Sequence, residues 1–155
     1  MTGEQIAAEL EIACAEGAAF IRDQAPAHWG QVVPGEEWPV GVVARHIASG
    51  SGLFTRWVEQ VLAGGPVGTS RADIDAANAA EAPRPPTDPA TVERELLAGA
   101  GQLAALIRVV PAEVLEREVV FAPANGALMT GEAICRVPAR HVRTHLANMV
   151  AAVSA

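Results

Sequence analysis

The chain has 155 residues, 11 basic against 18 acidic for a formal charge of −7, half of them hydrophobic, which fits one well-cored domain spanning 1–155. The longest run free of Asp, Glu and Arg is 13 residues (119–131), short of the roughly 18–20 a membrane span needs, and four glutamates without a cation in the first 20 residues argue against a secretory leader. Two cysteines, Cys14 and Cys135, match no disulfide, zinc or redox pattern and read as reduced thiols of a cytoplasmic protein, while net acidity without a basic run argues against nucleic-acid binding.

Residues 2–24 place Ile6, Leu10, Ala13, Gly17, Phe20 and Ile21 at three- and four-residue spacings, which predicts a first amphipathic helix. A loop punctuated by Pro26, Gly30, Pro34 and Gly35 follows, and Pro39 suits the first turn of a second helix expected to run to about Ala63. Gly64, Gly65, Pro66 and Gly68 end it. A Pro-rich crossover then holds a short Ala-rich helix over 71–82, before Pro83, Pro85 and Pro86. Asp88 as N-cap and Pro89 as first helical residue open a third long helix, with Val92, Leu96, Leu103, Leu106 and Ile107 on one face up to Pro111.

Residues 116–129 combine Val119, Val120 and Phe121 with an Asn125-Gly126 turn signal, which fits a short hairpin or an extended loop. Thr130 can cap a last helix whose stripe is Ile134, Val142, Leu146, Met149, Val150 and Val153, kinked near Pro138. Four long amphipathic helices with these connections predict an all-α four-helix bundle.

Three of the four histidines fall on the apolar side of their helices. His141 and His145 stand four residues apart, a rotation of about 40° that sets both rings on one face, one turn apart. His46 shares its side of the second helix with Val42, Val43, Ile47, Leu53, Phe54 and Trp57, while Arg45, Arg56 and Glu59 point mainly away. One such histidine is usually a core residue bonded to a carbonyl. Three from two helices, in a chain without tyrosine, would leave several ring nitrogens unsatisfied at about 1–3 kcal/mol each unless they share a ligand. A divalent metal on His46, His141 and His145 resolves this. Zn²⁺ suits three neutral imidazoles best, Ni²⁺, Co²⁺ and Fe²⁺ also fit, and a coordination position stays open for water or substrate. The segment His141-Val142-Arg143-Thr144-His145 lacks the glutamate that follows the first histidine in zinc-peptidase helices, which disfavours peptidase activity.

Further roles follow from spacing. Asn148, Ser49 or a carboxylate in the crossover can orient a ring N–H. Trp38 can line the mouth of a pocket, and Arg143 or Arg45 can contact an anion. Cys135, 240° round the helix from His141, points away from the ligand face, and His28 reads as a loop surface residue.

The segments 38–48 (Trp-Pro-Val-Gly-Val-Val-Ala-Arg-His-Ile-Ala), 73–79 (Asp-Ile-Asp-Ala-Ala-Asn-Ala), 128–132 (Leu-Met-Thr-Gly-Glu) and 141–146 together resemble the DinB-like superfamily. Within it, they are most similar to the branch related to the metal-binding domain of mycothiol-dependent maleylpyruvate isomerase. The resemblance implies an up-up-down-down bundle with one metal-binding histidine on the second helix and two on the last, positions that fall on His46, His141 and His145. It also implies a low-molecular-weight thiol such as mycothiol as cosubstrate, held as thiolate by the metal. Coordination to a cation does ionise a thiol near neutral pH.

The expected function is therefore that of a metal- and thiol-dependent transferase or isomerase acting on a small molecule, with a homodimer as one assembly. The alternatives are a non-catalytic metal-binding or stress-related bundle and a metal-dependent small-molecule hydrolase.

Overall fold

A computed structural model describes residues 1–155 and is mostly helical, with two small antiparallel hairpins. Helix α1 (Gly3–Asp23) starts in a capping box in which Thr2 and Gln5 bond each other's backbone N–H. Its predicted stripe, Ile6, Leu10, Ala13, Gly17, Phe20 and Ile21, is buried throughout. After a 3-10 turn (Pro26–His28), the chain forms a hairpin not foreseen in the sequence, β1 (Val32–Val33) paired with β2 (Trp38–Pro39). Gly35 (φ 85°) and Glu37 (φ 60°) take left-handed conformations in its turn.

The predicted second helix is two segments, α2 (Val40–Ser49) and α3 (Ser51–Leu62), which meet at Gly50. Hydrogen bonds from Gly50 N–H to the His46 carbonyl and from Phe54 N–H to the Gly50 carbonyl carry the backbone across the join. The crossover contains α4 (Arg71–Glu81), capped by the reciprocal Ser70 and Asp73 bonds, with no fully buried residue of its own. Helix α5 (Pro89–Arg108) begins at Asp88 and Pro89 as expected. Past the short α6 (Ala112–Glu116), residues 116–129 resolve as a hairpin, with β3 (Glu118–Phe121) paired to β4 (Ala127–Thr130) and Asn125 and Gly126 supplying the left-handed turn.

Thr130 caps α7 (Gly131–Cys135), and α8 (Val137–Val153) follows. The expected kink near Pro138 takes the form of a break at Arg136. Pro138 thus lies in the first turn of α8, where its missing N–H is one that would have no helical partner anyway. The long helices bury their apolar faces together, α1 on α5 and α8, α2 on α5 and α8, and α3 on α5, around one connected core. No helix is long and apolar enough to cross a membrane.

One buried charge fixes the crossover. Arg45, expected to point mainly away from the apolar side, is 4% exposed. Its guanidinium pairs with the Glu81 carboxylate and donates to the backbone carbonyls of Glu81 (2.9 Å), Arg84 (3.1 Å) and Pro85. These bonds reach across 36 to 40 residues of sequence and tie the C-terminal end of α4 to α2. Removing one partner of a buried charge pair typically costs about 3–5 kcal/mol, because the other is left uncompensated. Arg45→Ala should lose stability of that order in urea denaturation, and limited proteolysis should cut it faster within residues 82–88.

Candidate metal centre

The three inward histidines converge where α2 meets α8. His46 stands in the last turn of α2, next to the join at Gly50, and His141 and His145 face it from consecutive turns of α8. One ring nitrogen from each lies within 4.8 Å of the others. Ring centroids are 4.9 Å apart for His46 and His141, 4.9 Å for His46 and His145, and 4.5 Å for His141 and His145. The Nε2 atoms of His46 and His141 approach to 3.0 Å.

Gly50 lies against the same group: a Cβ there would crowd the Phe54 ring at 3.2 Å and meet Cε1 of His141 at an ordinary contact distance of 3.7 Å. Aromatic edges complete the packing: Phe54 lies T-shaped on His141 at 5.2 Å and Trp38 on His46 at 5.3 Å.

Burial governs the electrostatics. Loss of hydration, reinforced by the neighbouring His145 charge, lowers His46 from 6.5 to about 4. The same two causes, with His46 added, lower His141 to about 3. Both rings are thus neutral with a free lone pair at physiological pH, the state a metal requires. Nδ1 of His141 is buried without a partner, so this cluster is not a set of core histidines each satisfied by a carbonyl. Two neutral imidazoles, and ring nitrogens that converge from all three histidines, fit a divalent ion of the Zn²⁺ type.

The rings open into a cavity of about 420 Å³. Trp38, Leu53, Phe54, Trp57 and Phe121 give it largely apolar walls, and Trp38 stands on it as expected. Arg71, Ile74 and Asn78 of α4 also line the cavity; Ile74 and Asn78 fall in the segment 73–79 that carries part of the family resemblance, but the sequence assigned neither to a site. Their spacing of three and four residues sets all three on one face of the helix.

The residue that sequence reasoning missed is Glu36. Its Oε1 accepts from Nδ1 of His145 at 2.7 Å and from the Asn148 side-chain amide at 2.7 Å. The carboxylate comes from the first hairpin instead of the crossover, and Asn148 reaches the ring only through it. The Pro34-Gly35 turn signal precedes it, but nothing local links a turn to a histidine 109 residues later. Ser49 bonds the His46 backbone carbonyl and orients no ring. Arg45 is committed to the crossover, and Arg143 is exposed outside the cavity lining. His28 stays on its loop, paired with Gln31. Neither cysteine lines the cavity, and burial raises Cys14 to about 11 and Cys135 to about 12, which keeps both protonated.

A family model for the DinB superfamily matches residues 3–149, and the chain belongs to that superfamily. Among solved structures, it is similar to the mycothiol-dependent maleylpyruvate isomerase, with a TM-score of 0.73 at 13% identity. The match covers 96% of this chain and 61% of the isomerase, so the chain spans about three fifths of that protein's length. No curated protein matches it in sequence.

The buried imidazoles predict a pH dependence. Below pH 6.5 the unfolded chain binds protons that folded His46 and His141 refuse until about pH 4 and 3, so folding stability falls as pH drops through this window and is unaffected by these groups above it. The slope is at most about 1.4 kcal/mol per pH unit for each ring. Metal-free protein should therefore unfold at lower urea at pH 5.5 than at pH 7.5. Replacing both histidines by glutamine should flatten that difference.

Proposed function

We propose that the protein is a divalent-metal-dependent enzyme of transferase or isomerase type that works with a low-molecular-weight thiol. In this reading, residues 1–155 act as one four-helix-bundle domain with up-up-down-down topology, and His46, His141 and His145 are the metal ligands. The observation that carries it is the opening of three clustered, partly buried imidazoles onto a cavity of about 420 Å³. A purely structural site would be closed by a fourth protein ligand, and no further His, Cys, Asp or Glu joins the group. The thiol comes from the similar fold of the mycothiol-dependent isomerase.

When bound, the ion would lower the pKa of a coordinating thiol and act as a Lewis acid. The chain's own residues do the rest. Trp38, Phe54, Trp57 and Phe121 exclude water and favour an apolar portion of the substrate. Arg71 and Asn78, which also line the cavity, offer polar contacts. Neither cysteine can serve as the nucleophile, since both are buried away from the cavity and held protonated. The reactive sulfur must come from outside.

Protein purified without a nickel column should carry close to one equivalent of metal by elemental analysis, and His141→Ala should weaken zinc binding by more than about 100-fold. Zinc at 100 times its Kd should add about 2.7 kcal/mol of stability. Adding mycothiol to Co²⁺-loaded protein should produce a thiolate-to-metal absorption band. Metal without that band would favour a structural or hydrolytic role, and failure to bind metal after reconstitution would sink the metal reading altogether.

A further inference from the structure

The turn between β1 and β2 is shaped to deliver one side chain. The left-handed conformations of Gly35 and Glu37 bracket Glu36, whose side chain is only 11% exposed although it belongs to a surface turn. A non-glycine residue in that region costs about 1–3 kcal/mol and persists where surrounding contacts hold it, as they do here. Oε1 of Glu36 accepts from both Nδ1 of His145 and Nδ2 of Asn148. Two residues further on, Trp38 stands edge-on against His46. One hairpin therefore touches two of the three rings.

The chemistry of this contact has a single solution for a neutral ring. A carboxylate only accepts, so the hydrogen must sit on Nδ1 of His145, which leaves the lone pair on Nε2. Unconstrained neutral imidazole favours the opposite tautomer, with hydrogen on Nε2 and no lone pair there to give. His141 has no such partner, since its Nδ1 is buried and unpaired.

We propose that Glu36, held by Asn148, is a positioning residue that fixes the Nδ1–H tautomer of His145 and so makes its Nε2 the metal-donor atom. The first hairpin is thereby a working part of the metal centre. This rests on the metal reading above. Metal-bound histidines commonly donate their second nitrogen to a carboxylate, and loss of that carboxylate typically lowers metal affinity about 10–100-fold.

The test uses the full chain with Glu36→Ala and Glu36→Gln, two readouts, and circular dichroism to confirm that each variant is folded. Long-range ¹H–¹⁵N correlation of the imidazoles in metal-free protein should show His145 as Nδ1–H in the unsubstituted chain. It should turn toward Nε2–H in Glu36→Ala and stay partly Nδ1–H in Glu36→Gln, whose amide oxygen still accepts. Zinc affinity, measured against a chelating dye, should fall about 10–100-fold in Glu36→Ala and by a smaller but measurable factor, about 3–10-fold, in Glu36→Gln. A carboxylate that only stabilises the fold would leave the tautomer unchanged.

Retention of Nδ1–H in Glu36→Ala, or zinc affinity within threefold of the unsubstituted chain, overturns the proposal and leaves the metal reading standing. Absence of zinc binding by the unsubstituted protein overturns the metal reading and this proposal with it. Should Glu36→Ala fail to fold, Glu36→Gln decides. An Nδ1–H fraction and an affinity both equal to those of the unsubstituted chain would show that the charge does no positioning.

Discussion

Desolvation of His46 and His141 is the constraint on which the rest of the site depends. Packing two imidazoles against Phe54 and Trp38 at the junction of α2 and α8 costs hydration and leaves a polar atom of His141 unmatched. The same packing keeps the rings neutral and close together. Two sequence features serve this arrangement. Pro138 opens α8 one turn before His141, and the helical bonds across Gly50 keep His46 of α2 and Leu53, Phe54 and Trp57 of α3 on the side that lines the cavity. Three inward imidazoles whose nitrogens lie within 4.8 Å of one another, two of them held neutral, point to a shared ligand.

The cavity is built by segments that have little core of their own. Helix α4 buries no residue fully, yet its Arg71, Ile74 and Asn78 form one wall. It is held at one end by the Arg45 clamp and braced near the other, where Trp57 Nε1 donates to Thr69 Oγ1. The first hairpin is likewise tethered, through Glu36 to α8 and through the Gln31 side chain to the Ala152 carbonyl. A few long-range polar bonds thus set the shape of the pocket, while the apolar faces of α1, α2, α5 and α8 set the scaffold. Charged and apolar contacts have separate tasks here. The Arg45 pair stabilises little relative to an apolar alternative, but it specifies where the crossover lies.

This division also decides what could be read in advance. Periodicity at three and four residues located the long helical runs, Asp88-Pro89 and Thr130 marked two helix starts, and Asn125-Gly126 marked a turn. The inward faces of His46, His141 and His145 were legible for the same reason, because helical rotation ties a residue's direction to its neighbours. Arg45 was misjudged by that logic. A side chain on the edge of an apolar stripe goes to solvent or to a partner according to what lies above it, and the cover comes from residues 81–85.

Sequence alone determined the long helical runs, most of their buried faces and the inward side of the three histidines, since these follow from local backbone geometry and from the period of apolar residues; Val150, expected on the last stripe, is exposed. Tertiary structure alone decided that Glu36 meets His145 across 109 residues, that Arg45 is buried and that α4 walls the cavity. Those contacts join segments without mutual periodicity. Their positions depend on how loops close over a finished core, a global packing outcome that no local pattern encodes.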